Sequence, residues 1–357
     1  MIPYLVLVFF TIAYYVFCNS AKKGEKINSN EKLKKFFLFT CGLALFILVA
    51  FRSKHIGSND SFNYFNNWIL LRDIPAESII TFIKNSPMES GYLFTIWLLS
   101  HITPHPQFLF IYSGLFFSIS VCYFIYKNCE DVLIGFFMFV TLGTYTFMVQ
   151  GLRQAIAMSI CLFAIEFIKK RKLLPFFAIV FFASFYHKSA IFFLIVYFLQ
   201  FIPLNIKGFS GAAIASLILF IIAPSGVDFI NKQFNREYEG VVERGGFIAT
   251  TIYILILLVA IFFGREKKKD KNFTLFFYLT MLGLMTYIMR FTNVVIAERI
   301  SYYFAFGQII ILPSVIQNFP IGERVPIKIV LIILCVCLFI YRLPPTGLAP
   351  YYFFWQL

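Results

Sequence analysis

From Ile2 to Arg342 the chain repeats one pattern: a run of Leu, Ile, Phe and Val without charge, closed by a short polar or basic segment. A lipid environment admits few folds, because every backbone N–H and C=O must be paired within the protein; helices are the simplest answer. About 20 apolar residues cross a bilayer as a helix, and many of these runs approach that length. With 60% hydrophobic and 13% charged residues, a soluble protein with a very large core is excluded. The 49 Phe and 20 Tyr suit a lipid-facing surface with interfacial rings. Met1 to Phe17 has no basic n-region and no small-residue cleavage site, so it reads as a first span rather than a signal peptide.

The net charge of +14 is not a nucleic-acid footprint, because the basic residues sit in a few short loops, where they encode orientation. Lys22, Lys23, Lys26, Lys32, Lys34 and Lys35 mark one cytoplasmic loop, Lys169–Lys172 a second and Arg265–Lys271 a third. The expected spans are about 2–18, 36–51, 106–126, 132–149, 151–168, 173–185, 189–202, 209–223, 247–264, 273–290, 300–317 and 326–342. The fold class this predicts is an all-α integral membrane protein of about 12 transmembrane helices, one polytopic domain over residues 1–357. Residues 52–105 form its main extracytoplasmic loop and 224–246 a second.

One stretch breaks the apolar pattern. Phe181-Phe-Ala-Ser-Phe-Tyr-His-Lys-Ser-Ala-Ile191 places His187 and Lys188 in the middle of the run from Leu173 to Ile202. An ionisable group at membrane depth is costly and marks a functional site unless the chain surfaces there. The run is too long for one span and short for two, so a tight helical hairpin is expected, with His187 and Lys188 at its outer bend.

Other polar residues sort to the same outer face. Arg52 closes the second span. Ile56-Gly-Ser-Asn-Asp-Ser61 reads as a turn capping a helix. On that helix Asp60, Asn63, Tyr64 and Asn67 are expected to share one face, with Phe62, Phe65, Trp68 and Ile69 turned to the bilayer surface. Glu89 precedes Gly91–Ile102, which is too short for a full span and is read as an interfacial or partly inserted helix. Gln150, Arg153 and Gln154 open the fifth span, Arg290 ends the tenth, and Glu298, Arg299, Tyr302 and Tyr303 open the eleventh. Singly these have ordinary readings: a surface amphipathic helix, a snorkelling Arg, a loop ion pair. Together they bring Arg and His from separate segments to one face. Arg suits bidentate phosphate recognition, and a half-buried Arg cluster repels itself without an anion. A phosphate-bearing, lipid-borne substrate at the outer boundary is the expectation.

Other chemistries find no support. The seven Cys lack Cys-x-x-Cys spacing and read as small core residues. His101 and His105 are separated by Thr-Pro, so no regular helix presents them as a metal pair. No nucleotide loop, His-Glu-x-x-His or Gly-x-Ser-x-Gly is present, and no metal or other cofactor is expected.

Arg52 with Gly57-Ser-Asn-Asp60 and Tyr64, Glu89-Ser-Gly-Tyr92, Arg153-Gln-Ala-Ile-Ala157, Phe185-Tyr-His-Lys-Ser-Ala190, and Arg299 with Tyr302-Tyr303 form an ordered set. In that set the chain resembles the EpsG-like family of polysaccharide polymerases, a Wzy-type group. Ser61 after Asp60 departs from the commoner Gly-x-Asp-Thr pattern. The resemblance implies a membrane-glycosyltransferase architecture in the bacterial inner membrane with its site facing the periplasm. It implies transfer of a growing glycan from undecaprenyl diphosphate to a sugar hydroxyl of the next lipid-linked repeat unit, for O-antigen, capsule or exopolysaccharide. His187, Asp60 or Glu89 would supply the base. Arg153, Arg299 and Arg52 would meet the diphosphate, and Tyr64, Gln154, Lys188 and Tyr302 the glycan. The partners implied are the lipid-linked oligosaccharide, the bilayer, a flippase and a chain-length regulator, with no nucleic acid. The rival readings are a flippase of lipid-linked glycan, a ligase of finished chains and a membrane O-acetyltransferase.

Overall fold

The Asn30 side chain accepts from the Lys32 and Leu33 amides and so starts a long helix, α2 (Glu31–Ala50), after α1 (Ile2–Ala21). The computed structural model describes residues 1–21, 27–57, 60–212, 246–291 and 293–356, with positions 214 and 218. Most of the expected span 209–223, the loop 224–245, Lys22, Lys23, Lys26, Ser58 and Asn59 lie outside the described residues.

Antiparallel to α2 runs α6 (Phe108–Asn128), tied at both ends. The Tyr126 hydroxyl donates to Glu31 at 2.5 Å, and Gln107 Nε2 donates to the Ala50 and Arg52 carbonyls at 2.7 and 2.9 Å. Against α6 pack α9 (Leu152–Lys169) and α7 (Val132–Thr141); α8 (Thr144–Gln150) lies against α7 and α9, and α10 (Leu173–Ser184) against α9. The later helices are α11 (Val196–Leu199), α12 (Phe247–Phe263), α13 (Lys271–Ile288), α14 (Val294–Phe304), α15 (Phe306–Ile316) and α16 (Ile321–Arg342). Phe124 holds the two halves together, meeting Phe276 of α13 and Phe306 of α15 edge-on at 5.7 and 5.5 Å. Such pairs add about 0.5–1.5 kcal/mol beyond area burial.

The protein is α-helical and membrane-like, but the expectation of about twelve spans is wrong. Among the described residues three helices, α2, α6 and α16, are long and apolar enough to cross a membrane, or five if each of two bent pairs counts as one span. The reason is where helices stop. Within 132–149 the chain breaks between α7 and α8 by 53°, at Gly143 with φ +100°. At 300–317 it bends by 44° between α14 and α15. The 12 residues of α10 reach about 18 Å, well short of the ~30 Å hydrocarbon thickness. Beyond its bend the chain continues as a 3-10 helix, Lys188–Ile195, and the short α11. Counting apolar residues registers none of these breaks.

Residues 52–105 carry α3 (Asp60–Arg72), α4 (Ile79–Asn85) and α5 (Ser90–Ile102). The face assignment on α3 also needs correction. Its buried side chains are Ser61, Tyr64, Trp68 and Leu71, so Trp68 points into the protein and meets Phe108 at 6.4 Å. Tyr64 and Trp68 lie one turn apart and are buried together, while Asp60 and Asn63 are exposed.

Polar contacts gather at the two ends of the bundle. At the Glu31 end Lys267 pairs with Glu130, Lys328 with Asp131, and Ser314 donates to Glu130 at 2.7 Å. The opposite end carries Arg52, Glu89, Arg153, His187, Arg290 and Arg342. There a seam closes the fold: the segment Leu343–Phe354 lies along the residues that follow α2. Ser53 N donates to Tyr352 O at 2.9 Å, Gly57 N to Gly347 O at 3.0 Å and Phe354 N to Phe51 O at 2.9 Å.

Candidate active site

The bend at Phe185–His187 is fastened to the start of α5. Phe185 O accepts from the Gly91 amide at 2.8 Å and from the Tyr92 amide at 3.3 Å. A Cβ on residue 91 would stand 2.8 Å from the Phe185 Cβ and 2.9 Å from its carbonyl oxygen, so this approach requires glycine. The contact brings Glu89, two residues before the bend's docking point at Gly91, beside Arg153 at the start of α9. Their side chains pair at 2.5 Å with 2% and 19% exposure. The Arg153 guanidinium also lies 5.6 Å from the Tyr92 ring, and Tyr92 meets Tyr64 edge-on at 6.0 Å. Burial pushes the Tyr64 phenol above its usual range, with Arg153 beside it pulling the other way.

His187 is 6% exposed. Its Nδ1 is 2.6 Å from Ser189 Oγ, and Ser189 Oγ donates to the Tyr303 hydroxyl at 3.3 Å. The hairpin, α14 and the start of α9 therefore meet: Gln154 Nε2 donates to the Arg299 carbonyl on the same side of α14. Glu89, Arg153, Tyr64, His187, Gln154 and Arg299 form one neighbourhood. Lys188 is exposed at its edge and Asp60 is exposed at the head of α3.

Arg52 does not join them. It is fully buried, donates from Nη1 to Ile56 O at 2.6 Å and Ser61 Oγ at 3.3 Å, and lies 4.1 Å from the Phe110 ring. Burial pulls its guanidinium down to about 10, with the phenols of Tyr4, Tyr64, Tyr145 and Tyr351 around it opposing. It is still charged at neutral pH.

Next to the His187 neighbourhood opens a chamber of about 770 Å³. Gln150, Tyr287, Arg290, Glu298, Tyr302 and Arg342 supply its polar lining. Tyr302 stacks on Phe147 at 3.8 Å, and Gln150 donates to the Thr346 carbonyl. Arg290 sits 3.4 Å from Glu298 and donates to the Tyr287 hydroxyl. Arg342 donates to the Leu142 carbonyl at 3.0 Å, where the α7–α8 break leaves that oxygen without a helical partner. Among the described residues no three His, Cys, Asp or Glu side chains come together as a metal set. His101 Nδ1 contacts the Trp97 carbonyl at 2.7 Å and His105 Nδ1 accepts from Gln107 N at 3.1 Å, each within its own turn.

The EpsG family pattern matches residues 35–353, nearly the whole chain and both halves of this site. The chain belongs to the EpsG family. No curated protein and no solved structure matches it. Membership and the helical membrane architecture make this a Wzy-type, polysaccharide-related membrane protein.

Sequence reasoning placed Arg290, Glu298 and Gln150 at the right end without assigning them to the site. It missed Arg342 and Tyr287 entirely. The signal was thin: Arg342 closes the longest apolar helix, as charges ordinarily do, and its contact with Leu142 spans 200 residues. Ser189 and Tyr303 stood inside quoted motifs, but the hydrogen bonds that link them to His187 are visible only in three dimensions.

Proposed function

We propose that this EpsG-family protein polymerises a surface polysaccharide of the O-antigen, capsule or exopolysaccharide type. It transfers the growing glycan from undecaprenyl diphosphate to a sugar hydroxyl of the next lipid-linked repeat unit, at the periplasmic side of the inner membrane. The observation that carries this reading is the meeting, at one end of a membrane bundle, of a buried imidazole relay and a chamber lined by guanidinium groups.

The chemistry needs three things. The bond from the anomeric carbon to the diphosphate breaks, and the leaving oxygen keeps the electron pair; cations must meet that charge. A new bond forms to the acceptor hydroxyl, whose proton must go to a base. His187 fits the base. With Ser189 donating onward to Tyr303, Nδ1 carries the imidazole proton and Nε2 the lone pair. Glu89 is engaged with Arg153, which suits a positioning role for the pair, and Asp60 is exposed at the rim. Of the three Arg in the sequence motifs, Arg153 is engaged with Glu89 and Arg52 is enclosed by protein, whereas Arg299 is partly exposed, so we assign Arg299 to the substrate side. Tyr302, stacked on Phe147 at the chamber wall, offers a face for a sugar ring, and Lys188, Gln154 and Tyr64 are the further groups we assign to the glycan. A flippase and a chain-length regulator are the expected protein partners.

A flippase is disfavoured because the described charged side chains collect at the two ends of the bundle rather than along its middle. Deletion of the gene followed by gel analysis of surface glycan tests the reading. A lost polymerase leaves single repeat units. Long lipid-linked chains would instead identify a ligase, and unchanged polymer would refute both.

A further inference from the structure

Arg153 already has Glu89, and Arg52 is enclosed by protein. The chamber offers a different cation. Among the described residues Arg342 has no carboxylate partner, and its one acceptor is the Leu142 carbonyl, held by Nη1 at 3.0 Å. Its Nη2 lies against Gly143, only 2.9 Å from where a Cβ would stand, on a residue whose φ of +100° already favours glycine. The break between α7 and α8 thus clears a place for this guanidinium. The charged groups of the lining are Arg290, Arg342 and Glu298, and Glu298 sits on Arg290. Among the described residues one positive charge is left over, faced by the neutral donors Tyr287, Tyr302, Gln150 and Thr146. A guanidinium fork among hydroxyl and amide donors suits the oxygens of a phosphate group.

The route to the chamber is apolar. Only 11% of the spanning window of α16 is buried inside the protein. Ile329, Val330, Ile333, Leu334, Ile340 and Tyr341 are exposed along it, and Arg342 follows directly. A lipid chain lying on that helix would end at the guanidinium, whereas a soluble anion has no use for such a path.

We propose that Arg342, with Arg290 beside it, forms the binding site for a lipid-borne diphosphate in this chamber, the lipid chain running along α16. The assignment rests on the polymerase reading for the identity of the lipid, and it moves the anion site away from Arg153. The chamber, at about 770 Å³, holds more than a headgroup and leaves room for the first sugars.

The test measures binding to purified protein in nanodiscs with three probes: a polyprenyl diphosphate, the matching monophosphate and inorganic pyrophosphate. The native protein should prefer the polyprenyl diphosphate. R342Q should bind it about tenfold or more weakly, as expected for loss of a charge-assisted hydrogen bond. R342K, which keeps the charge without the fork, should also bind more weakly. Phe247→Glu guards against a misfolded R342Q: Phe247 lines the chamber and is 62% exposed, so a carboxylate there leaves packing intact. It should weaken binding by about threefold. Native affinity in both R342Q and Phe247→Glu would overturn the site. Equal affinity for pyrophosphate and the lipid would overturn the lipid-borne assignment. The two readings fail separately. Normal polymer in the deletion strain removes the polymerase while Arg342-dependent binding stands; single repeat units in that strain, with native lipid binding by R342Q, remove this site and leave the polymerase.

Discussion

Removing either partner of the Glu89–Arg153 pair should destabilise the protein, and unequally. The carboxylate side chain is 2% exposed and the guanidinium 19%. Breaking a buried pair from one side costs about 3–5 kcal/mol, because the remaining charge stays out of water. In Glu89→Gln the remaining group is Arg153, which reaches solvent and retains the Tyr92 ring, worth about 0.5–1 kcal/mol. The expected loss is about 2–3 kcal/mol. In Arg153→Gln the remaining group is the deeper carboxylate, so the loss should approach the full 3–5 kcal/mol at neutral pH. Protonation relieves a buried carboxylate, so the Arg153→Gln deficit should shrink as pH falls, while the Glu89→Gln deficit should not. The double variant should lose less than the sum, with a coupling of about 2 kcal/mol. Denaturant unfolding in mixed micelles, run at two pH values on all four proteins, reads each quantity. Zero coupling, or a Glu89→Gln loss larger than that of Arg153→Gln, would refute the burial argument.

Three further outcomes follow from the site. His187→Ala should abolish polymer while the protein still inserts, since general-base help is typically worth ~10²–10⁴ in rate; His187→Gln, which keeps a hydrogen bond to Ser189, should fail equally, and near-normal polymer from it on a glycan gel would remove the base role. Arg299→Lys should impair polymer nearly as much as Arg299→Ala, because the planar fork is lost; full-length polymer from the Lys variant would show that charge alone suffices. Single cysteines at Ile27, Lys170 and Lys268 should be shielded from a membrane-impermeant thiol reagent in intact spheroplasts, and those at Asp60 and Lys188 labelled; the reverse pattern would invert the membrane orientation.

Much of the candidate site was legible because charge in an apolar chain is rare. His187 stood out on that ground alone, whereas Glu89, Arg153 and Arg299 stood out only as a set gathered at one face; the structure brings the four near one another. Helix length was not legible. The run 132–149 reads as continuous hydrocarbon, yet one left-handed glycine at 143 divides it, and no periodicity predicts a positive φ. The inward face of α3 was hidden for a related reason: Tyr64 and Trp68 share a side, but a helix amphipathic on several faces does not say which one meets the protein. Arg342 needed a partner 200 residues away to become meaningful.

The seam between the residues after α2 and the segment Leu343–Phe354 sets a clock on biogenesis. Tyr351 and its acceptor at Leu48 are 303 residues apart, and they meet in the finished fold at 2.9 Å. At roughly 5–20 residues per second, a ribosome leaves the loop around Arg52 uncovered for about 15–60 s after it has been made. Through that interval a guanidinium destined for full burial waits at the membrane boundary without its cover. The nascent protein is thus a natural client for whatever shields polar loops during membrane insertion, and a tag fused near Phe354 loads the last piece to close.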